Sequence, residues 1–147
     1  MVHDYVPFYF HPRSPMLYKI HKDKGRYPQG QVPIVQLVSS VQAVSVIRPF
    51  AFTDGHAIMS LSEFFTDLAD LARVDWPLMR AKMWHDTQAD PDRKRRRQAE
   101  FLVYQHCPWE LITEVAVLNR QVEAHVVQLL ELVAYRPPVH VRPNWYY

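Results

Sequence analysis

The stretch from Gln98 to Tyr104 constrains the fold more than any other part of the chain. Gln98, Glu100, Leu102 and Tyr104 alternate with Ala99, Phe101 and Val103, the two-residue period of a strand whose faces differ. Gln98 and Glu100 then point the same way. An acid at the mouth of an otherwise apolar strand costs desolvation energy unless something polar meets it. On residue types alone the plainer reading is a salt bridge to a neighbouring arginine, with a ligand hydroxyl as the other. Directly ahead lie Arg93, Lys94, Arg95, Arg96 and Arg97, preceded by Asp86, Asp90 and Asp92. A basic run of this kind reads as a solvated loop or helix face, or as a phosphate-binding patch.

The rest of the composition bounds the class. With 147 residues, 48% of them hydrophobic, the chain can bury one proper core and not two, so one domain is expected. Three glycines against twelve prolines argue against flexible linkers. The formal net charge of +2 is too small to mark a nucleic-acid-binding protein by itself; the basic run matters because it is local. No apolar run is long enough to cross a bilayer, and Met1-Val2-His3-Asp4 lacks the basic start and apolar centre of a signal peptide. A cytosolic protein with no membrane partner is expected. Cys107 is the only cysteine, which leaves no internal disulfide and no thiolate metal site, and it reads as a half-buried structural residue. The eight histidines show no pair at the spacing that binds zinc from one helix, so no metal is expected. Walker-type and Gly-x-Gly-x-x-Gly loops are absent too.

Elements follow from pattern and punctuation. Val6 to Phe10 reads as an aromatic strand broken by Pro12. Ser14 caps a helix with Pro15 at its first position, and Met16, Leu17 and Ile20 face inward. Lys22 to Gly30 is a polar surface loop. Ile34 to Val38 is a buried-strand candidate, followed by a short helix through Val41, Ala43 and Val44. Phe50-Ala51-Phe52 is a strand ending in the turn Thr53-Asp54-Gly55-His56. Ser60 and Glu63 have capping-box spacing ahead of a helical stripe of Leu61, Phe64, Phe65, Leu68 and Leu71. Asp75-Trp76-Pro77 starts a helix through Leu78, Met79 and Met83. Pro108 to Ile112 is a short helix and Val115 to Leu118 a strand. Asn119 caps a helix bearing Val122, Val126, Leu129, Leu130 and Val133, and Val139 to Val141 is the last strand. This irregular alternation implies an α/β (α+β) protein with a mixed sheet flanked by helices.

Five stretches occur in an order that is specific to one family: His3-Asp4-Tyr5-Val6-Pro7-Phe8-Tyr9-Phe10, Pro12-Arg13-Ser14-Pro15-Met16-Leu17-Tyr18, Pro49-Phe50-Ala51-Phe52-Thr53-Asp54-Gly55-His56, Gln98-Ala99-Glu100-Phe101-Leu102-Val103 and Trp145-Tyr146-Tyr147. Across its whole length the chain resembles the DarT-type DNA ADP-ribosyltransferase toxins. One departure is plain: family members carry a further N-terminal segment with residues that hold NAD and an arginine thought to assist deprotonation of the thymine. The resemblance therefore implies an N-terminally incomplete domain that on its own binds NAD weakly.

The resemblance also implies a split, ADP-ribosyltransferase-like sheet and ADP-ribose transfer from NAD to thymine in single-stranded DNA. Glu100 is the acid that would stabilise positive charge on the ribose, with Gln98 beside it on the cofactor or acceptor side. Tyr9, Phe10 and Tyr18 are candidates for an aromatic slot around the nicotinamide, and Arg13 for the pyrophosphate or for a bridge to Asp4. Met16 and His56 fall in motifs that in the family lie near the modified base. Arg93, Lys94, Arg95, Arg96 and Arg97 could track the DNA backbone, and Trp145, Tyr146 or Tyr147 could stack a base. The family partner is a DarG-type macrodomain antitoxin. Two other readings compete: an inactive domain that binds nucleic acid or antitoxin, and a transferase of the same fold directed at RNA or protein.

Overall fold

A computed structural model describes residues 2–147. The chain divides into two compact units, one holding the residues up to Ser14 with Val44–Cys107, the other Pro15–Ala43 with Pro108–Tyr147. Each contains its own sheet, so the strands form two sheets flanked by helices, one antiparallel and one mixed.

The first unit is built on an antiparallel sheet of β1 (Tyr5–Tyr9), β3 (Phe50–Thr53), β4 (Phe64–Phe65) and β5 (Glu100–Tyr104), in the order β1-β5-β3-β4. β5 is a central strand and nearly all of it is buried. β1 lies at the edge, which is where a strand can carry a proline such as Pro7, because a missing N–H there breaks no ladder bond. Phe50, Phe52, Phe101 and Phe10 pack on one face, with Phe50 stacked on Phe101 at 5.2 Å and Phe10 edge-on to Trp76 at 5.4 Å. The other face carries a smaller cluster of Ala51, Ala57 and Leu102 beneath Tyr5. Two helices complete the unit: α3 (Trp76–Arg80), capped by the Asp75 carboxylate, and α4 (Arg93–Arg96).

The second unit holds α1 (Pro15–Lys22), β2 (Gln36–Val38), α2 (Val41–Ser45, most of it), β6 (Glu114–Val117), α5 (Arg120–Leu130) and β7 (Val139–Val141). β6 is central, antiparallel to β2 and parallel to β7. Asn119 caps α5 as its position predicts, accepting the Val122 N–H at 3.0 Å. Tyr146 is buried, donating its hydroxyl to the Ile34 and Ala116 carbonyls, and burial pushes its pKa up to about 12.

Several expected elements differ. The helix expected over Leu61 to Leu71 is instead β4 followed by a 3₁₀-helix at Leu68–Arg73. Phe64 and Phe65 pair with Thr53 and Phe52, and Phe65 stacks on Phe52 at 5.3 Å. Aromatic pairing at a sheet edge outweighs the helical spacing here, and Asp67, not Ser60, supplies the helix cap. α3 stops at Arg80, which leaves Met83 exposed. β2 is an edge strand with Leu37 exposed and not a buried one, and Met16 on α1 is exposed where an inward side chain was expected. None of the α5 side chains is fully buried.

Candidate active site

The register of β1 against β5 places Tyr9 opposite Glu100, Pro7 opposite Leu102 and Tyr5 opposite Tyr104. Directly paired residues share a face, so Glu100 sits on the face away from the aromatic core. A cleft of about 260 Å³ opens over it, lined by His3, Tyr5, Pro7, His56, Ile58 and Glu100 among others. Glu100 is only 8% exposed, which makes its polar contacts decisive.

Those contacts come from the turn after β3. Glu100 Oε2 accepts the Ala57 N–H at 3.0 Å, and His56 Nδ1 faces the same oxygen at 3.6 Å. That distance is too long for a hydrogen bond, and Nδ1 is buried with no hydrogen-bond partner among the described residues. Thr53, fully buried, locks strand to turn: its hydroxyl accepts the Glu100 N–H at 3.1 Å and donates to the Gly55 carbonyl at 2.6 Å. The Tyr9 phenol pKa is raised, chiefly by burial and further by the negative charge of Glu100, so Tyr9 stays a neutral phenol.

The acid is therefore met by a backbone N–H and an imidazole, and not by the neighbouring arginine that its flanking sequence offers. The Arg97 side chain is buried and turns away, its Nη2 donating to the Arg13 carbonyl at 2.7 Å and meeting His11 Nδ1 at 3.3 Å. His11 also accepts the Arg13 N–H. Burial, with Arg97, Arg13 and Arg80 nearby, lowers its pKa to about 4, which keeps the ring a neutral acceptor.

The expected cofactor residues fall on different elements. Phe10 is half-buried and packs edge-on against Phe52, Trp76 and Phe101; it follows Tyr9 and falls on the face opposite Glu100. Gln98 lies in the turn ahead of β5, not on the strand, with Nε2 bonded to the Lys94 carbonyl at 3.0 Å. The Arg13 backbone meets His11 through its N–H and Arg97 through its carbonyl. Tyr18 and Met16 belong to α1 in the second unit, where Tyr18 packs edge-on to Tyr147 at 5.0 Å. The terminal Tyr146 is buried, which removes it as an exposed stacking face.

Most of the basic run is engaged by partners within the protein, and Lys94 is its exposed member. Arg95 bridges Asp54 and Asp92 at 3.1 and 2.7 Å, and Arg96 binds Asp90 at 2.7 Å and Asp75 at 3.2 Å. Arg93 donates to the His85 and Met83 carbonyls, and Lys94 reaches Asp86 at 3.8 Å. Arg97 is buried, and a buried guanidinium cannot follow a DNA backbone. The aspartates interspersed before the run are its partners. Ala57 was invisible in the sequence as a contact because any non-proline residue supplies an N–H; the nearby turn motif was the only signal.

Among the described residues, no cluster of three His, Cys, Asp or Glu side chains lies together, and no helix is long and apolar enough to cross a membrane.

Comparison sets the class first. The fold superposes on that of Thermus sp. 2.9 DarT in complex with carba-NAD+ with a TM-score of 0.93 at 47% identity, covering 100% of this chain and 75% of that one. The same protein in complex with ADP-ribosylated ssDNA gives 0.93, covering 100% and 70%. The fold is therefore that of a DNA ADP-ribosyltransferase. A family model described as "DarT: ssDNA thymidine ADP-ribosyltransferase, DarT" matches residues 1–147, and the chain belongs to that family. A DNA ADP-ribosyl transferase of Thermus sp. (strain 2.9) is 47% identical over 100% of this chain and 70% of its own length, and one of Escherichia coli is 38% identical over 99% and 68%. Thermosipho africanus DarTG in complex with ADP-ribose shares the fold at 19% identity, with a TM-score of 0.73.

Proposed function

We propose that this chain transfers ADP-ribose from NAD to the thymine base of single-stranded DNA, with Glu100 as the acid that stabilises the reacting ribose. The observation that carries the reading is the carboxylate at the floor of the cleft, fixed by the Ala57 N–H and faced by His56. Its support from relatives is the pair of Thermus complexes, one with carba-NAD+ and one with ADP-ribosylated ssDNA.

The chemistry fits the residues. The bond between nicotinamide and ribose C1′ breaks and the nicotinamide nitrogen keeps the electron pair, so positive charge builds on the ribose. A fixed carboxylate in a partly dry cleft stabilises that charge and can accept a hydrogen bond from a ribose hydroxyl. A ligand atom entering beside Oε2 would also give the unsatisfied His56 Nδ1 a partner, and buried polar atoms are seldom left without one. The cleft volume lies just below the range for whole small ligands, which suits the nucleoside end of NAD and not the full dinucleotide. In a thymidine the ring nitrogen with a removable proton is N3, so the new bond runs from N3 to C1′, nicotinamide leaves as the neutral base and the N3 proton is released to solvent. His56 borders this acceptor side. Single-stranded DNA offers the base without the cost of extruding it from a duplex.

The wider setting belongs to the same proposal: a cytosolic toxin partnered by a macrodomain antitoxin. Mass spectrometry of thymine-containing and thymine-free oligonucleotides after incubation with NAD tests it. An ADP-ribosyl mass gain confined to oligonucleotides with thymine is expected; equal gain on thymine-free strands, or gain on the protein alone, contradicts it.

A further inference from the structure

The Arg95 side chain is only 11% exposed and lies inside the loop that follows β3, not on the surface. Its Nη1 donates to Asp54 Oδ1 and to Ser62 Oγ, each at 3.1 Å, while Nε and Nη2 grip both oxygens of Asp92 at 2.8 and 2.7 Å. Each partner is tied onward into the loop. Asp54 Oδ1 accepts the Glu63 N–H, and Ser62 Oγ donates to the His56 carbonyl at 2.8 Å. The Arg95 carbonyl itself accepts the His56 N–H at 2.9 Å. The guanidinium also packs so closely on Gly55 that a Cβ there would overlap it, with Arg95 Cζ and Ser62 Oγ both 3.0 Å away. One side chain thus ties α4 to both ends of the loop between Asp54 and Glu63. The middle of that loop delivers the Ala57 N–H and the His56 ring to Glu100.

We infer that Arg95 is a positioning residue for the transfer reaction: its planar fork sets the loop that aims the Ala57 N–H and His56 at Glu100, and it does not contact DNA phosphate. This inference rests on the reading of Glu100 given above. A fork that spans two carboxylates and a hydroxyl cannot be replaced by a point charge, so lysine would not substitute for it. Displacing a reacting group by a fraction of an ångström to an ångström costs up to about 100-fold in rate.

The test uses the full chain as wild type and as Arg95→Gln, Arg95→Lys, Ser62→Ala and Glu100→Gln. Three quantities are read: hydrogen exchange and proton shift of the Ala57 amide by NMR, the rate at saturating NAD and thymine oligonucleotide with the KM for NAD, and the salt dependence of oligonucleotide binding. Arg95→Gln is expected to speed Ala57 exchange and to slow turnover about 10- to 100-fold, leaving KM and salt slope within twofold. Arg95→Lys should fail to rescue, and Ser62→Ala should move the same amide in the same direction by less. If Arg95→Gln does not fold, Arg95→Lys and Ser62→Ala decide on the same readouts. A wild-type Ala57 amide and turnover in the folded variants overturns the inference. So does a salt slope flattened by about 0.7 that lysine restores, which is the mark of a phosphate contact. Full activity in Glu100→Gln would instead defeat the reading of Glu100, while the Ala57 amide would still report whether Arg95 sets the loop.

Discussion

At the scale of single residues, the environment of Glu100 is fixed by β3 and the turn that follows it. Thr53 is the clearest case: one hydroxyl accepts from the Glu100 N–H and donates to the Gly55 carbonyl. Thr53→Val keeps the shape and removes both bonds in a site with no water access, so it should cost about 1–3 kcal/mol, read as a lower urea midpoint at constant slope. Unchanged stability would mean that the turn does not depend on this hydroxyl. The place of Glu100 at the head of an alternating strand was legible in the sequence, while its part in the reaction came with the family resemblance and is the proposal made above. Its partners were not. His56 stood out only as a turn residue near the modified base, and its approach to Glu100 depends on β3 lying beside β5, a long-range pairing that no local spacing encodes. For Phe10 the aromatic type was visible, while the face it takes, beside Phe52 and Phe101, follows from the pairing of β3 with β5.

At the scale of elements, the basic run is the main revision. Read as charge alone it suggests phosphate; placed on α4 it becomes an internal ion-pair scaffold, because aspartates from four different positions return to it. The consequence is a pH dependence with a definite sign. The Arg96 hydrogen bond holds the Asp90 pKa at about 2, and the Arg95 hydrogen bond lowers that of Asp92. A carboxyl whose folded pKa lies below its unfolded value, ordinarily about 3.9, adds stability above that unfolded value and loses it as the pH falls through the folded one. The thermal midpoint should therefore drop between about pH 4 and 2. Asp90→Asn should lower the midpoint at neutral pH and shrink the acid drop; a variant that titrates like the wild type would refute the coupling. The helix wrongly expected over Leu61 to Leu71 shows the matching limit. Its apolar spacing suited a helix, yet the open edge of β3 offered Phe64 and Phe65 backbone partners that a sequence window does not contain.

At the scale of the whole molecule, order of elements and fold class were legible: strands at β1, β3, β5, β6 and β7 lie close to where the patterns put them. The division into two sheets came only with the family resemblance, because periodicity identifies strands and not their neighbours. In the proposed reaction the Glu100 carboxylate drives transfer of ADP-ribose to thymine, and loss of its charge alone is the decisive perturbation. Single-turnover transfer to a thymine oligonucleotide should be measured for the wild type and for Glu100→Gln, with matched circular dichroism and melting. The predicted result is a fall of about 100-fold or more in a variant that folds normally; transfer within a few-fold of the wild-type rate by that folded variant would contradict the claim.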